Sequence, residues 1–276
     1  MKADRSTTMT ERAFDLGAKL IAVLVAIFLV TPILVIFPLS FTADSLMIFP
    51  LPGVSMRWYV DFFTNPVWLT ALRNSLMLAV VTMVVATVLG TLAALGLVRL
   101  SRGWRSVIST LLLSPLIVPV IIIGVGTFFY FARLGLAGSF FGLVLAHTVL
   151  ALPLVIIAVT ATLEGFDPNL VRAAYASGAA PFPAFWQVTR PLIMPGIVTG
   201  ATFAFITSFD EIVCVIFLGG PEFRTLPRQI WSGAKETVTP TIAVAAVLLV
   251  IASVVMTLVV EALRKRAQRL SKGAAR

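Results

Sequence analysis

Charged residues are sparse along this chain, and they fall at intervals that leave long apolar stretches between them. Lys19 and Asp44 bound residues 20–43, Arg73 and Arg99 bound 74–98, and Arg105 and Arg133 bound 106–132. Arg133 and Glu164 then bound 134–163, and Glu236 and Glu261 bound 237–260. Between them, Arg190 and Asp210 bound 191–209, where the apolar run is interrupted and resumes after Glu211. A helix needs roughly 20 apolar residues to cross the hydrocarbon core of a bilayer. The pattern therefore predicts an all-α membrane protein with six transmembrane helices. The first window exceeds a secretory-signal core, and no A-x-A-like cleavage site follows it, so it reads as a retained anchor.

Composition agrees. The chain of 276 residues is 59% hydrophobic and 12% charged, about half the charged fraction of a soluble domain. Mean hydropathy is +1.03. A single cysteine, Cys214, excludes an internal disulfide framework. The net charge of +9 follows membrane sidedness and does not suggest nucleic acid. With both termini on one side, that side holds fifteen Lys and Arg residues: Lys2, Arg5, Arg12, Lys19, Arg99, Arg102, Arg105, Arg172, Arg190 and the tail from Arg264 to Arg276. The other side holds six: Arg57, Arg73, Arg133, Arg224, Arg228 and Lys235. Positive charge collects in the cytoplasm, so both termini are expected there. The resulting plan is a cytoplasmic segment 1–19, a membrane domain 20–263 and a basic cytoplasmic tail 264–276. The outer stretch 42–73 mixes Trp58, Tyr59, Phe62, Phe63 and Trp68 with Arg57 and Asp61, which suits an interfacial helix.

Several chemistries are excluded. The one histidine, His147, lies inside the fourth window, so neither a multi-histidine metal site nor a His-dependent triad is expected. No Gly-Lys dipeptide occurs, so no Walker A loop cradles a nucleotide. His147 reads as an intramembrane polar side chain bonded to a neighbouring helix, and Cys214 as packing.

The inner loop 164–190 carries the most information. Asp167 is placed to cap a helix beginning at Pro168, where the missing N–H costs nothing. Ala173, Ala174 and Ser177 then share a face, and Gly178 ends the helix. Pro181 and Pro183 are expected to break the chain, Phe185 and Trp186 follow, and Pro191 is expected to open the fifth span. On spacing alone this is equally an ordinary helix–turn–helix connector.

Here the sequence resembles the permease subunits of bacterial ABC importers. Their cytoplasmic signature is a Glu-Ala-Ala helix, a glycine four residues after the second alanine, and a Leu-Pro farther on. Ala173, Ala174 and Gly178 match it in register, and residues 188–195 resemble Val-x-Leu-Pro-Leu-Ile-x-Pro. Thr207 to Glu211, Gly220-Pro221, Arg224 to Pro227, Trp231 to Gly233, Thr239 to Ile242, Arg57 to Tyr59 and Asn74 to Leu76 look like the second permease of the spermidine/putrescine branch. The chain departs from the signature in two places: Arg172 stands where the family has glutamate, and Arg190 where it usually has leucine.

The resemblance implies a type I importer permease fold in the bacterial inner membrane. It implies a second homologous permease, two ATP-binding subunits that hold ATP and Mg, and a periplasmic substrate-binding protein. This chain would then need no cofactor or metal and would not itself be an enzyme. Asp167, Pro168, Arg172, Ala173, Ala174, Ser177, Gly178 and Pro191 become the expected ATPase-coupling residues. Substrate-pathway candidates are Asp210, Glu211, Phe205, Phe209 and Trp231. The two acids are costly inside a span, so they either face a cavity for a cationic cargo or serve structure, by pairing with Arg224 or Arg228 or by capping a helix break. The aromatics offer cation–π contact. Other small cargoes (an amino-acid-like compound or a chelated metal) and a gradient-driven transporter are the remaining readings.

Overall fold

A computed structural model describes residues 9–236 and 238–273. Lys2, Arg5, Thr237 and Arg276 lie outside the described residues. Helices account for the architecture, and the sole sheet-like feature among the described residues is one bridge between Thr42 and Val54. Five helices are long and apolar enough to span a membrane, and a sixth candidate is a bent pair.

The core is a three-helix unit of α3 (Pro66–Leu97), α6 (Phe140–Glu164) and α9 (Arg190–Asp210). Asn65 starts α3 by accepting the Val67 N–H at 3.0 Å, with Pro66 at the first helical position. Ser139 starts α6 in the same way, accepting the Gly142 N–H at 3.0 Å. Small residues recur along the buried face of α3 at Ala71, Ser75, Ala79, Thr82, Ala86, Gly90 and Ala94. In a bilayer such a stripe allows backbones to close on one another, since apolar packing alone gives no advantage over lipid. Val155 of α6 is the knob: a Cβ on Gly90 would stand 2.6 Å from its Cγ1, and one on Gly200 of α9 would stand 3.0 Å from its Cα.

Around this unit lie α1 (Met9–Leu39) and α12 (Pro240–Gly273), with α12 against α9 and α1 against α12. The candidate span of α1, Phe14–Leu39, leaves its apolar side chains uncovered, Phe28 being 76% exposed. The aromatic stretch 42–73 contains α2 (Arg57–Thr64), which buries Phe62 and rests on α3 and α12. Thr241 donates to the Asp61 carboxylate at 2.7 Å, fixing the start of α12 to α2.

Two sequence expectations need correction. Window 106–132 is not a straight span: α4 (Arg102–Leu113), with a 3₁₀ turn to Leu116, and α5 (Val120–Arg133) meet at 97°. Pro115 and Pro119 bracket the bend, and a proline both removes a helical N–H and pushes the residue before it out of the helical region. Pro181 and Pro183, in contrast, do not break the chain. They occupy the first turn of α8 (Pro181–Ala184), where N–H groups have no helical partner to lose. The helix then runs without a gap from Pro181 to Asp210, 30 residues, so Pro191 lies inside it and does not open it. A π turn over Phe185–Thr189, in which the Arg190 N–H reaches back to the Phe185 carbonyl, widens the helix just ahead of Pro191.

Candidate functional site: a cavity between two broken spans

The fifth span breaks at Glu211 and Ile212, and a six-residue helix, α10 (Val213–Leu218), follows. So short a helix has all its terminal backbone groups unpaired within itself. Glu211 satisfies one end: Oε1 accepts from Val213 N–H at 2.7 Å, and Oε2 accepts from Cys214 N–H at 2.9 Å. Arg228 of α11 (Leu226–Glu236) satisfies the other, its Nη1 donating to the carbonyls of Gly219 at 3.0 Å and Gly220 at 3.1 Å. A carboxylate at the N-terminus and a guanidinium at the C-terminus both oppose the helix dipole. Burial first, and the Arg224 charge second, lower the Arg228 pKa from the ordinary guanidinium range; arginine nevertheless stays charged. Acid and base therefore do not pair directly, although they serve one element.

His147 of α6 braces this break. Its Nδ1 is 2.8 Å from the Ser208 hydroxyl on α9, and its Nε2 lies 3.5 Å from Glu211 Oε2, beyond good hydrogen-bond distance. His147 is fully buried. It sits seven residues into α6, roughly 10 Å from the end nearest loop 134–139.

Asp210 has different surroundings. Its side chain is exposed and opens, with Glu211, onto a cavity of about 710 Å³. The opposite wall is the bend of the third span, from Pro115 to Val120. The two broken helices thus face each other across one space. Gly124 lets α5 and α10 approach, since a Cβ there would come within 3.1 Å of the Phe217 ring on α10.

The aromatic candidates lie elsewhere. Phe205 and Phe209 are buried and stacked, with ring centroids 5.4 Å apart, against Ala79 of α3. Trp231 lies on α11 beneath the Lys235 ammonium, at 4.7 Å, and does not line the cavity. Sequence reasoning missed the bend at Pro115–Pro119, because counting charges across a window ignores prolines within it. It expected His147 to bond a neighbouring helix and an acid to cap a helix break, as His147 and Glu211 do, but it did not give Ser208 as the partner or place Arg228 on the far end of α10, because both depend on long-range packing. Asn74 and Ser75 are structural too. Asn74 donates to the Arg224 carbonyl at 3.2 Å, and the Ser75 hydroxyl accepts the Leu226 N–H at 2.7 Å.

On the opposite face, the loop helix α7 (Asn169–Ala176) starts one residue later than Pro168. Asp167 Oδ1 accepts the Asn169 N–H at 2.9 Å. Gly178 ends it with φ +85°, and the Ala179 N–H returns to the Ala174 carbonyl at 3.0 Å. Arg172, Ala173 and Ser177 are exposed, and α7 buries no residue in this chain. Among the described residues no three His, Cys, Asp or Glu side chains gather as a metal site.

Comparison with known proteins accounts for this arrangement. Residues 86–269 match the family described as binding-protein-dependent transport system inner membrane component. The chain is 31% identical over 229 residues to the spermidine/putrescine transport system permease protein PotC of Escherichia coli K12, covering 83% of this chain and 86% of that protein. It is also 31% identical over 222 residues to the putrescine transport system permease protein PotI of the same strain, covering 78% and 79%. A solved bacterial ABC transporter involved in alginate import superposes with a TM-score of 0.73 at 16% identity, covering 93% of this chain and 96% of that one, which shows a shared fold. The chain thus belongs to the binding-protein-dependent transport system inner membrane component family: it is a multi-pass inner-membrane permease subunit of an ABC importer, not an enzyme.

Proposed function

We propose that this permease forms half of the translocation path for a small cationic solute such as spermidine or putrescine. The observation that carries the cargo class is Asp210, a carboxylate exposed to the cavity between two broken spans. Charge at that depth is costly unless water or a cation meets it. A polyamine supplies the cation, and the similarity to the two named polyamine permeases agrees with that choice.

In this reading the bent pair counts as one span, so six spans leave both termini in the cytoplasm, and 15 of the 21 basic residues support that orientation. A second permease completes the path, a periplasmic binding protein delivers cargo, and two ATPase subunits bind ATP and Mg. Loop 164–190 meets the ATPase. Asp167 and Pro168 start its helix, Gly178 ends it, and Ala173, Ala174 and Ser177 give a low-relief docking face. Closure of the ATPase pair on ATP pushes this helix, and the π turn before Pro191 passes the motion into α9 and the break at Glu211.

Uptake by the complex purified from its native membrane and reconstituted in vesicles tests the reading. ATP-dependent accumulation of labelled spermidine, unaffected by collapsing ion gradients, is the expected result. Accumulation driven by a gradient without an ATPase subunit refutes the importer mechanism. ATP-driven uptake of an amino-acid-like compound or a chelated metal in its place refutes the cargo alone.

A further inference from the structure

A second cavity, of about 770 Å³, lies where α3 and α6 end and α4, α7 and α8 begin. Leu95, Leu163, Phe166, Tyr175 and Phe185 give it apolar and aromatic walls. Its charges come from separate elements: Arg99 just past α3, Arg105 in the first turn of α4, Arg172 on α7, and Glu164 closing α6. Glu164 is the one carboxylate of this lining, and Arg105 holds it in an ion pair. Among the described residues Arg172 reaches only the neutral Asn169 side chain, at 3.3 Å, and no second carboxylate lines the space to answer Arg99. Three guanidiniums against one acid leave the lining with excess positive charge beside apolar and aromatic walls.

Depth adds to the charge argument. Arg99 and Glu164 are the residues at which two apolar windows, 74–98 and 134–163, end. The cavity is therefore level with lipid headgroups. Basic pockets between membrane helices at that level recognise anionic headgroups, and guanidinium geometry suits phosphate oxygens. An acidic side chain from a docked protein would meet the arginines but leave the apolar walls unfilled.

We infer that this cavity binds the phosphodiester headgroup of an anionic phospholipid from the cytoplasmic leaflet. Arg99 and Arg172 contact the phosphate, and an acyl chain lies along Leu95, Leu163 and Phe166. The inference rests on the membrane orientation proposed above. A headgroup so placed ties α7 to the inner end of α3, joining the coupling loop to the three-helix core.

The test uses the whole transporter complex, delipidated in mild detergent and given back either phosphatidylglycerol or phosphatidylcholine, with bound lipid read by native mass spectrometry. Phosphatidylglycerol is expected to be retained preferentially. Arg99→Gln should weaken that retention about fivefold, the effect of one basic residue at an anionic surface. Glu164→Gln, which removes the lone negative charge, should keep or strengthen it. Short-chain phosphatidylglycerol should displace the bound lipid, whereas inorganic phosphate should not.

Equal retention of the two lipids, or equal retention in wild type and an assembled Arg99→Gln complex, overturns the inference. Displacement by inorganic phosphate alone overturns the lipid assignment in favour of a soluble phosphate. Lipid lost whenever the ATPase subunits are bound overturns it in favour of a protein seat. If spermidine uptake fails while selective lipid retention persists, the cargo reading is refuted and this one is not.

Discussion

Asp210 and Glu211 are adjacent acids with opposite surroundings, and replacing them one at a time separates cargo attraction from helix capping. A cargo ammonium passing ~4 Å from the Asp210 carboxylate gains ~1 kcal/mol in bulk-like water and ~4 kcal/mol at an effective dielectric near 20. The cavity is open, so the lower part of that range applies. About 1–2 kcal/mol corresponds to roughly 5- to 30-fold in uptake at subsaturating substrate. Asp210→Asn should show that loss with normal assembly, since its side chain is exposed and bridges no two elements among the described residues, and the deficit should shrink at high salt. Glu211→Ala removes the acceptors of the Val213 and Cys214 N–H groups. Loss of such a cap costs about 0.5–2 kcal/mol, so this variant should lose thermal stability and yield. Glu211→Gln keeps an acceptor oxygen and should lie between wild type and alanine.

The assay is initial-rate uptake of labelled spermidine into proteoliposomes, normalised to incorporated complex, beside a melting curve in detergent. Wild-type uptake by Asp210→Asn, together with a tenfold loss in a Glu211→Gln complex of normal stability, would refute the reasoning. The cargo-facing carboxylate would then be Glu211, and exposure would be a poor guide to which acid meets the cargo.

Three further outcomes follow from the packing. Gly178→Val forces a β-branched residue to φ +85°, a strain of about 1–3 kcal/mol, and should reduce ATP-coupled transport, whereas Gly178→Asn should retain most of it; normal coupled transport in the valine variant removes Gly178 from the docking role. Gly90→Ala places a methyl 2.6 Å from Val155 Cγ1 and should destabilise by about 1–3 kcal/mol, with Val155→Ala restoring part of the loss in a double-mutant cycle of melting temperatures. Arg228→Met strips the carbonyl end of α10 of its charged donor and should cost about 1.5–3 kcal/mol in stability, read as a lowered melting temperature.

What was legible in the sequence was what depends on composition over a helix length. Charge-free windows located the five helices long and apolar enough to span and the bent pair, and Asp167, Ala173, Ala174 and Gly178 marked a loop helix whose observed start differs by one residue. Prolines were harder to read, because the same residue opens a helix at Pro181 and helps break one at Pro119. Its effect depends on whether the missing N–H falls in a first turn, and charge counting does not register that. Pairing was legible only as a kind of contact, His147 to a neighbouring helix and an acid capping a helix break, and not as named partners. Nothing local tells Arg228 to close α10 and leave Glu211 to the opposite end, because that choice is made by α11 folding back over the break.

The position of the two breaks follows from the same backbone chemistry. A broken helix in a bilayer exposes N–H and C=O groups that lipid cannot satisfy, so breaks persist only where protein or water meets those groups. Here one break is answered by Glu211 and Arg228, and the other stands across the shared cavity from it. Each break makes the other affordable by lining an open space with protein in place of lipid. Such a pair is also where a rigid span is most readily re-angled, because no intact run of helical hydrogen bonds has to be broken there. In the proposed cycle the opposed breaks set a hinge beside the Asp210 carboxylate in an otherwise largely apolar space, which ties the movement of α9 to the fate of a cation at the carboxylate.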